Sequence, residues 1–316
     1  MEPNMALDEV GAMQGRSLWF IVVLTSLILA GQRAAWGHRE LAGQGKTSID
    51  FQLYRDYLIV VQGSVGPLKG LNLLLDTGAN TTVLDPRLAR KLHLDVAPAG
   101  VAVLSGNVKG GIATAPSVQV GPIRRVDVRV LVKDLGFIQD SLPFQIDGIV
   151  GLDVLGRSAF VIDYSSREIR FGPAPAMADS IPLQLQDGLA FVDAVVNGTR
   201  VRLLLDTGAS SLVIFDELAD RGAEPKGVSA RLSTKAQATP NAQPTPKKIG
   251  DFDRKRAGEI SLRLGEVEFG REPVFVVPNL RDAGHDFDGV ISPAALGITR
   301  VAVDVNQRTL AFTRKQ

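Results

Sequence analysis

Two aspartates have the residue type and spacing that best fit a chemical role in this sequence. Residues 73–79 read Leu-Leu-Leu-Asp-Thr-Gly-Ala, and the same seven residues return at 203–209, 130 positions later. Each copy places an aspartate, Asp76 or Asp206, at the end of an apolar run that is typical of a buried strand. A carboxylate there loses its hydration, which shifts its pKa unless partners compensate for the burial.

Two such aspartates at the same place in a duplicated unit are expected to face each other across a pseudo-twofold axis. Two carboxyl groups that close share one proton, because they do not both ionise. One can then act as a base on water while the other polarises a carbonyl, which hydrolyses an amide without a covalent intermediate. Gly78 and Gly208 permit close approach of the two loops, and the hydroxyls of Thr77 and Thr207 can hydrogen-bond to the opposite loop.

The composition disfavours most other chemistries. The 316 residues contain no cysteine, which excludes disulfide scaffolds, thiolate metal sites and cysteine nucleophiles. The three histidines, His38, His93 and His285, are too far apart in the sequence to indicate a metal site or a Ser-His hydrolase. A net charge of +1 does not indicate a nucleic-acid partner. We therefore predict no metal, no cofactor and no nucleic acid.

A second repeated block extends the duplication. Residues 147–151, Asp-Gly-Ile-Val-Gly, return as Asp-Gly-Val-Ile-Ser at 288–292, which is 141 positions later. The sequence therefore predicts two homologous units, at 47–172 and 181–314, with a Pro-Ala linker between them. Because the two spacings differ, the second unit contains an insertion, which we place at 224–259.

Both units show the pattern of β structure. In the first unit, β-branched residues interrupted by Gly, Pro or Asn concentrate in three segments, 57–61, 118–132 and 159–171. In the second unit, Asn197-Gly198 and the segment 303–310 predict hairpins. Helical patterns are short and occur at 86–92 and 215–221. The predicted fold class is all-β, with two lobes.

The paired Leu-Leu-Asp-Thr-Gly-Ala motifs, each followed by an apolar segment such as Ile149-Val150-Gly151, resemble those of the aspartic peptidases. The resemblance is closest to the retropepsin-like branch, because Ala79 and Ala209 stand where pepsin-type enzymes usually have Ser. It covers both units. It implies a two-lobed acid-protease fold, a pseudo-twofold duplication of a retropepsin-like β-barrel unit in one chain, similar to tandem bacterial forms.

The same resemblance implies roles for individual residues. Asp76 and Asp206 would be the catalytic pair, and the Thr-Gly pairs that follow them would support the two loops. The apolar strand behind each loop ends in Gly151 in the first unit, but in Ser292 followed by Pro293 in the second. Since Gly serves there for close packing, we expect the second loop to sit slightly differently.

Two segments between the repeated blocks have less specific signals. The glycine-rich segment with Gly106, Gly110 and Gly111 lies where the family has its flap, and it has the composition of a mobile lid. An ordinary glycine-rich turn is the alternative. The insertion 224–259 is rich in basic residues, Pro and Ala, which indicates either a solvated loop or a lip that contacts acidic substrates.

The N-terminal segment predicts export. Residues 17–32 are uncharged and mostly apolar, and a small-x-small pattern, Ala35-Trp36-Gly37, follows them. The run is shorter than the roughly 20 residues of a bilayer span. We interpret 1–37 as a signal peptide or an N-terminal membrane anchor. The expected location is periplasmic, or membrane-anchored and facing outside the cytoplasm.

Two functions from different classes fit these observations. The first is an aspartic endopeptidase acting on a protein or peptide substrate. The second is an inactive retropepsin-like module that binds peptides or mediates interactions. Intact Asp-Thr-Gly in both units favours the peptidase, because an inactive copy would be free to lose one aspartate. With both halves in one chain, we expect a monomer.

Overall fold

The computed structural model describes residues 47–103, 106–139, 142–218, 257–277 and 286–315. The predicted signal or anchor, residues 1–37, and the insertion as far as residue 256 lie outside this part of the chain. Among the described residues, no helix has the length and apolar character that would be needed to cross a membrane.

The first lobe is built from eleven strands and three short helices within the described residues. Its elements are β1 (Ser48–Asp50), β2 (Gln52–Tyr54), β3 (Leu58–Val65), β4 (Leu68–Leu75), β5 (Val83–Leu84), α1 (Pro86–Lys91), β6 (Ala97–Val103), β7 (Gly106–Val120), β8 (Ile123–Val132), α2 (Gly136–Gln139), β9 (Gly148–Val150), α3 (Leu152–Leu155), β10 (Phe160–Asp163) and β11 (Glu168–Phe171).

The second lobe repeats this order with ten strands in its described part. They are β12 (Asp179–Pro182), β13 (Gln184–Gln186), β14 (Leu189–Val196), β15 (Thr199–Leu205), β16 (Leu212–Phe215), β17 (Ala257–Leu264), β18 (Val267–Val277), β19 (Gly289–Ile291), β20 (Ile298–Asp304) and β21 (Thr309–Arg314). A 3₁₀ turn at Asp216–Leu218 follows β16. The predicted helix at 215–221 was therefore wrong at its start, because Phe215 belongs to the strand.

The two lobes have the same strand order. The described strands of the first lobe form a sheet in the order β2-β3-β4-β9-β5-β8-β7-β6, and those of the second lobe form β13-β14-β15-β19-β16-β18-β17. Each strand of the second sheet matches one of the first, with β6 left over. The two-lobed all-β fold predicted from the sequence is confirmed.

The two repeated sequence blocks are neighbouring strands in each lobe. Leu73 pairs with Gly148 in a parallel ladder, and Leu203 pairs with Gly289 in the same way. Gly148 is required by this packing, because a Cβ there would lie 2.8 Å from the carbonyl oxygen of Val83. Both lobes therefore contain the same pair of strands, and the larger spacing in the second lobe reflects an insertion between them.

The carboxyl-terminal ends of β4 and β15, Leu73–Leu75 and Leu203–Leu205, are buried on both faces. Leu73 and Leu75 face a core that runs through both lobes, while Leu74 faces a smaller cluster within the first lobe. In the second lobe, Leu204 likewise faces a local cluster. Burial on both faces explains why each strand ends in three consecutive leucines rather than in alternating apolar and polar residues.

A third sheet joins the lobes. Its order is β1-β11-β10-β20-β21-β12, and the antiparallel pair β10–β20 crosses from one lobe to the other. Asp163 on β10 accepts hydrogen bonds from Arg300 on β20, at 2.8 Å from Nε and 2.5 Å from Nη2. Asp163 and its repeat Asp304 each accept two backbone N–H groups in the turn that follows. Both therefore cap turns.

Local turn signals also hold. Asn197 and Gly198 connect β14 and β15 with φ angles of 48° and 87°, the conformation expected of an Asn-Gly hairpin. Asp85 caps α1 by accepting the N–H of Arg87, and Pro86 follows in the first helical position. These elements form from neighbouring residues alone, which is why the sequence predicted them.

The interlobe ion pair gives a testable prediction. Burial alone raises the pKa of Asp163, but the N–H of Ser166 and the guanidinium of Arg300 outweigh it and hold the pKa below 3.8. Arg300→Met should therefore lower the free energy of unfolding by about 1–2 kcal/mol at pH 7, since the 40% exposed Arg300 side chain is partly screened by water.

Asp163 stabilises the fold in its charged form, so this difference should shrink as the pH falls below about 4. Urea unfolding at several pH values measures it, with exposed Arg271→Met as the control. A difference that stays constant down to pH 2.5 would contradict the assignment.

Candidate active site

Asp76 and Asp206 follow β4 and β15 directly, and both residues are fully buried. Their backbone positions are equivalent. The N–H of Asp76 donates to Val150 O at 3.1 Å, and the N–H of Asp206 donates to Ile291 O at 3.0 Å. The parallel ladders β4–β9 and β15–β19 therefore continue into the two Asp-Thr-Gly loops, 76–78 and 206–208, and fix where each aspartate leaves its sheet.

The two threonines join the loops across the lobe boundary. Thr77 N donates to Thr207 Oγ1 at 3.1 Å, and Thr207 N donates to Thr77 Oγ1 at 3.0 Å. Each hydroxyl in turn donates to the strand of the other lobe, Thr77 to Leu205 O at 2.9 Å and Thr207 to Leu75 O at 3.3 Å. These four crossed hydrogen bonds are buried, and they bring the two aspartates together as the sequence predicted.

The carboxyl groups have matching surroundings. Oδ1 of Asp76 accepts the N–H of Gly78 at 2.8 Å, and Oδ1 of Asp206 accepts the N–H of Gly208 at 2.7 Å. The Oδ2 atom of each aspartate is buried and has no hydrogen-bond partner among the described residues. Each carboxyl group therefore keeps one oxygen for a proton or for a ligand.

The glycines allow this approach. A Cβ on Gly78 would lie 2.6 Å from Cγ of Asp206, and one on Gly208 would lie 3.0 Å from Cγ of Asp76. Each glycine thus packs against the carboxyl group of the opposite lobe. Gly78 and Gly208 thus lie where the two loops approach each other closely, which is the position that the sequence predicted for them.

Burial and mutual proximity raise the pKa of both aspartates. For Asp76, desolvation raises the pKa to about 6, although a proton carried by Asp206 and the N–H groups of Gly78 and Ala79 favour the charged form of Asp76. For Asp206, desolvation and then the nearby charge of Asp76 raise the pKa well above 3.8. Hence the pair retains one proton at pH values where isolated aspartates are fully ionised.

The surroundings of the first loop include an aspartate that the sequence analysis did not identify. The carboxyl group of Asp153 on α3 accepts both the N–H and the hydroxyl of Thr82, at 3.0 and 2.8 Å. Burial raises its pKa to about 6 despite these donors. In the second lobe the equivalent positions are Leu212 and Ala294, so this support exists on one side only. No local motif marks the pair in the sequence.

Asn80 forms a contact between the lobes. Its side-chain amide donates to the carbonyl oxygen of Asp187, in the turn between β13 and β14, at 2.8 Å. A Cβ on the neighbouring Gly188 would lie 3.3 Å from Cβ of Asn80. Asn80, two residues after the first loop, therefore contacts the second lobe.

The predicted flap glycines lie on β7. Gly106, Gly110 and Gly111 pair with Val103, Ala99 and Pro98 of β6. The glycines are thus in a strand, and the connection between β6 and β7, residues 104–105, lies outside the described residues. Their role as a flap remains a prediction.

The crossed threonine bonds can be tested by removing one hydroxyl. Thr77→Val leaves the N–H of Thr207 and the carbonyl of Leu205 without partners, so the free energy of unfolding should fall by about 2–4 kcal/mol. Thr207→Val should have a similar effect, whereas Thr77→Ser keeps the hydroxyl and should lose far less. Urea unfolding measures each change, with surface Thr299→Val as the control. Equal unfolding of Thr77→Val and the wild type would contradict the geometry.

Comparison with known proteins places this arrangement in a family. The sequence model of the family described as aspartyl protease matches residues 61–154 and 192–298, which together exceed half of the chain. The first region contains Asp76 and β9, and the second contains Asp206 and β19. No curated protein sequence matches the chain. On the extent of the family match, this chain belongs to the aspartyl protease family.

Proposed function

We propose that the chain is an aspartic endopeptidase of the single-chain, tandem retropepsin-like type. The observation that carries this proposal is the pair of buried carboxyl groups, each held by a glycine N–H and each with an Oδ2 atom that has no partner among the described residues. Asp76 and Asp206 would bind a water molecule between them and hydrolyse a peptide bond.

The pKa directions suit this chemistry. With one shared proton, the charged aspartate removes a proton from water while the protonated one donates to the substrate carbonyl oxygen. The water attacks the carbonyl carbon to form a tetrahedral diol. The aspartate that took the water proton then passes it to the amide nitrogen, and the other aspartate recovers a proton from the diol as the C–N bond breaks and the amine leaves. Because both groups are rigidly held by the crossed threonine bonds, little reorganisation is needed as charge develops.

An inactive peptide-binding or interaction module is the alternative function. The energetics of the pair disfavour it. Two buried carboxyl groups in contact oppose folding, since each raises the cost of ionising the other. A module that only binds would gain stability by replacing one of them. Intact aspartates in both lobes therefore support catalysis.

The location and partners are part of the proposal. Residues 17–32 support export and an orientation outside the cytoplasm, as a cleaved signal or a membrane anchor. The shared sheet and the core that runs through both lobes support a monomer, in which one chain supplies both halves of the site. The substrate would be a protein or peptide.

Replacing either aspartate tests the function. Asp76→Asn and Asp206→Asn should each lower kcat on a peptide-library substrate by more than about 100-fold, since general acid–base groups contribute at least that much. Asp304→Asn, at a turn that an amide can also cap, is the matched control. A variant that retained over a hundredth of the activity would refute the shared mechanism.

The same variants should be at least as stable as the wild type. The folded state raises the aspartate pKa from 3.8 to about 6 for Asp76, so ionisation destabilises it as the pH rises through this range. Asparagine does not ionise, and its stability advantage should therefore grow between pH 4 and pH 7. Thermal unfolding across this range measures the trend, and a trend of opposite sign would argue against burial of the pair.

The alanines after the glycines give a prediction about pH. A serine hydroxyl at these positions could donate to a carboxylate and favour its charged form, which Ala79 and Ala209 do not. Ala79→Ser with Ala209→Ser should move the pH–rate profile to lower pH. The ratio kcat/KM measured from pH 3 to 8 gives the shift. An unchanged or upward shift in a folded double variant would count against this explanation.

A further inference from the structure

The residue after each Asp-Thr-Gly triplet is anchored through its carbonyl group. In the first lobe, the backbone N–H of Leu152 donates to Ala79 O at 2.8 Å. Ala79 is fully buried, and its own N–H favours the charged form of the Asp76 carboxyl group. This single backbone hydrogen bond therefore connects α3 to the loop that carries the first aspartate.

The second lobe lacks this backbone donor. Its position equivalent to Leu152 is Pro293, because Leu205 pairs with Ile291 as Leu75 pairs with Val150. Proline has no N–H. Ala209 is as deeply buried as Ala79, so its carbonyl oxygen would lose a protein donor without gaining water.

Ser292 provides the missing donor. Its hydroxyl donates to Ala209 O at 2.6 Å, and the serine is fully buried. Ser292 Oγ also accepts the backbone N–H of Ala295, with an N···Oγ distance of 3.4 Å. Serine thus replaces glycine at position 292 in the same lobe in which proline removes the backbone N–H at position 293.

The backbone donor of the first lobe and the hydroxyl donor of the second lobe need the same space. In the first lobe, a Cβ on Gly151 would lie 2.5 Å from Ala79 O, too close for any side chain. There the glycine allows the carbonyl to approach the following N–H. In the second lobe the serine occupies this space and its hydroxyl replaces the N–H. A side chain at 151 would therefore disrupt the bond from the Leu152 N–H, and a glycine at 292 beside Pro293 would leave Ala209 O without a donor.

We propose that Ser292 is a positioning residue of the second loop, whose hydroxyl holds Ala209 and through it the carboxyl group of Asp206. The N–H of Gly208, the residue before Ala209, donates to Oδ1 of Asp206 at 2.7 Å, and the N–H of Ala209 favours the charged form of the same carboxyl group. A loop that loses its anchor would present Asp206 at a less suitable angle to water and substrate, and catalysis is sensitive to displacements of this kind. The kinetic part of this inference rests on the proposed peptidase function.

Three variants separate positioning from packing. Ser292→Ala removes the hydroxyl and leaves Ala209 O without a donor. Ser292→Gly with Pro293→Ala re-creates the arrangement of the first lobe, because the glycine lets the carbonyl group of Ala209 approach the backbone N–H that alanine supplies at 293. Ser117→Ala, at a buried serine on β7 in the first lobe, controls for loss of a buried hydroxyl.

Ser292→Ala should lower kcat about 10-fold with little change in KM, as expected for one lost buried hydrogen bond. The double variant should regain most of this loss, and Ser117→Ala should show none. A readout independent of activity is hydrogen exchange at the amides of Gly208 and Ala209. It should accelerate about 10-fold in Ser292→Ala and return towards wild type in the double variant.

The exchange data decide the inference even if the wild type cleaves no peptide, which would refute the proposed function alone. Unchanged exchange at both amides in Ser292→Ala would overturn the positioning role. A double variant with the same defects as Ser292→Ala would also overturn it, because the loss would then reflect packing. With an active wild type, a loss confined to KM would overturn the link to Asp206.

Discussion

Two carboxyl groups buried against each other oppose folding, and the rest of this structure depends on how that opposition is overcome. Desolvation and the neighbouring charge raise the pKa of Asp76 and Asp206, so the pair is stabilised by keeping a proton. The N–H groups of Gly78 and Gly208 compensate in part. The crossed bonds of Thr77 and the equivalent threonine then prevent the lobes from separating to relieve the repulsion. The site needs both lobes, and the same two lobes are held together by a common hydrophobic core and a common sheet.

The pseudo-twofold symmetry holds for the backbone more strictly than for the side chains. Both lobes share one strand order and one register behind the aspartates, because these features place the two loops face to face. The supporting groups differ. The hydrogen-bonded pair of Asp153 and Thr82 exists only in the first lobe, and the second loop is held by Ser292. The ion pair of Asp163 likewise has no counterpart at its repeat, since Ala159 stands where the second arginine would be. The two aspartates thus have similar positions but unequal surroundings.

Features that depend on neighbouring residues could be predicted from the sequence. The hairpin at Asn197-Gly198 follows from backbone angles that those residues favour, and the start of α1 follows from Asp85 and Pro86. The helix expected at 215 failed at its first residue, because pairing with β18 holds Phe215 in a strand. Tertiary pairing outweighed a local preference there, as it commonly does for short segments.

By itself, the sequence determined the duplication, the β character of both units and the two aspartates, since repeated motifs and apolar periodicity are written in the order of residues. Only the tertiary structure decided which groups support them. Thr82 and Asp153 are 71 residues apart, Ala209 and Ser292 are 83 apart, and Asp163 and Arg300 are 137 apart. No local pattern links such pairs, because each contact arises only when the sheets place distant strands side by side. The exchange of Gly-Leu for Ser-Pro likewise has no local explanation in the sequence, because its physical reason is the position of the Ala209 carbonyl group in the fold.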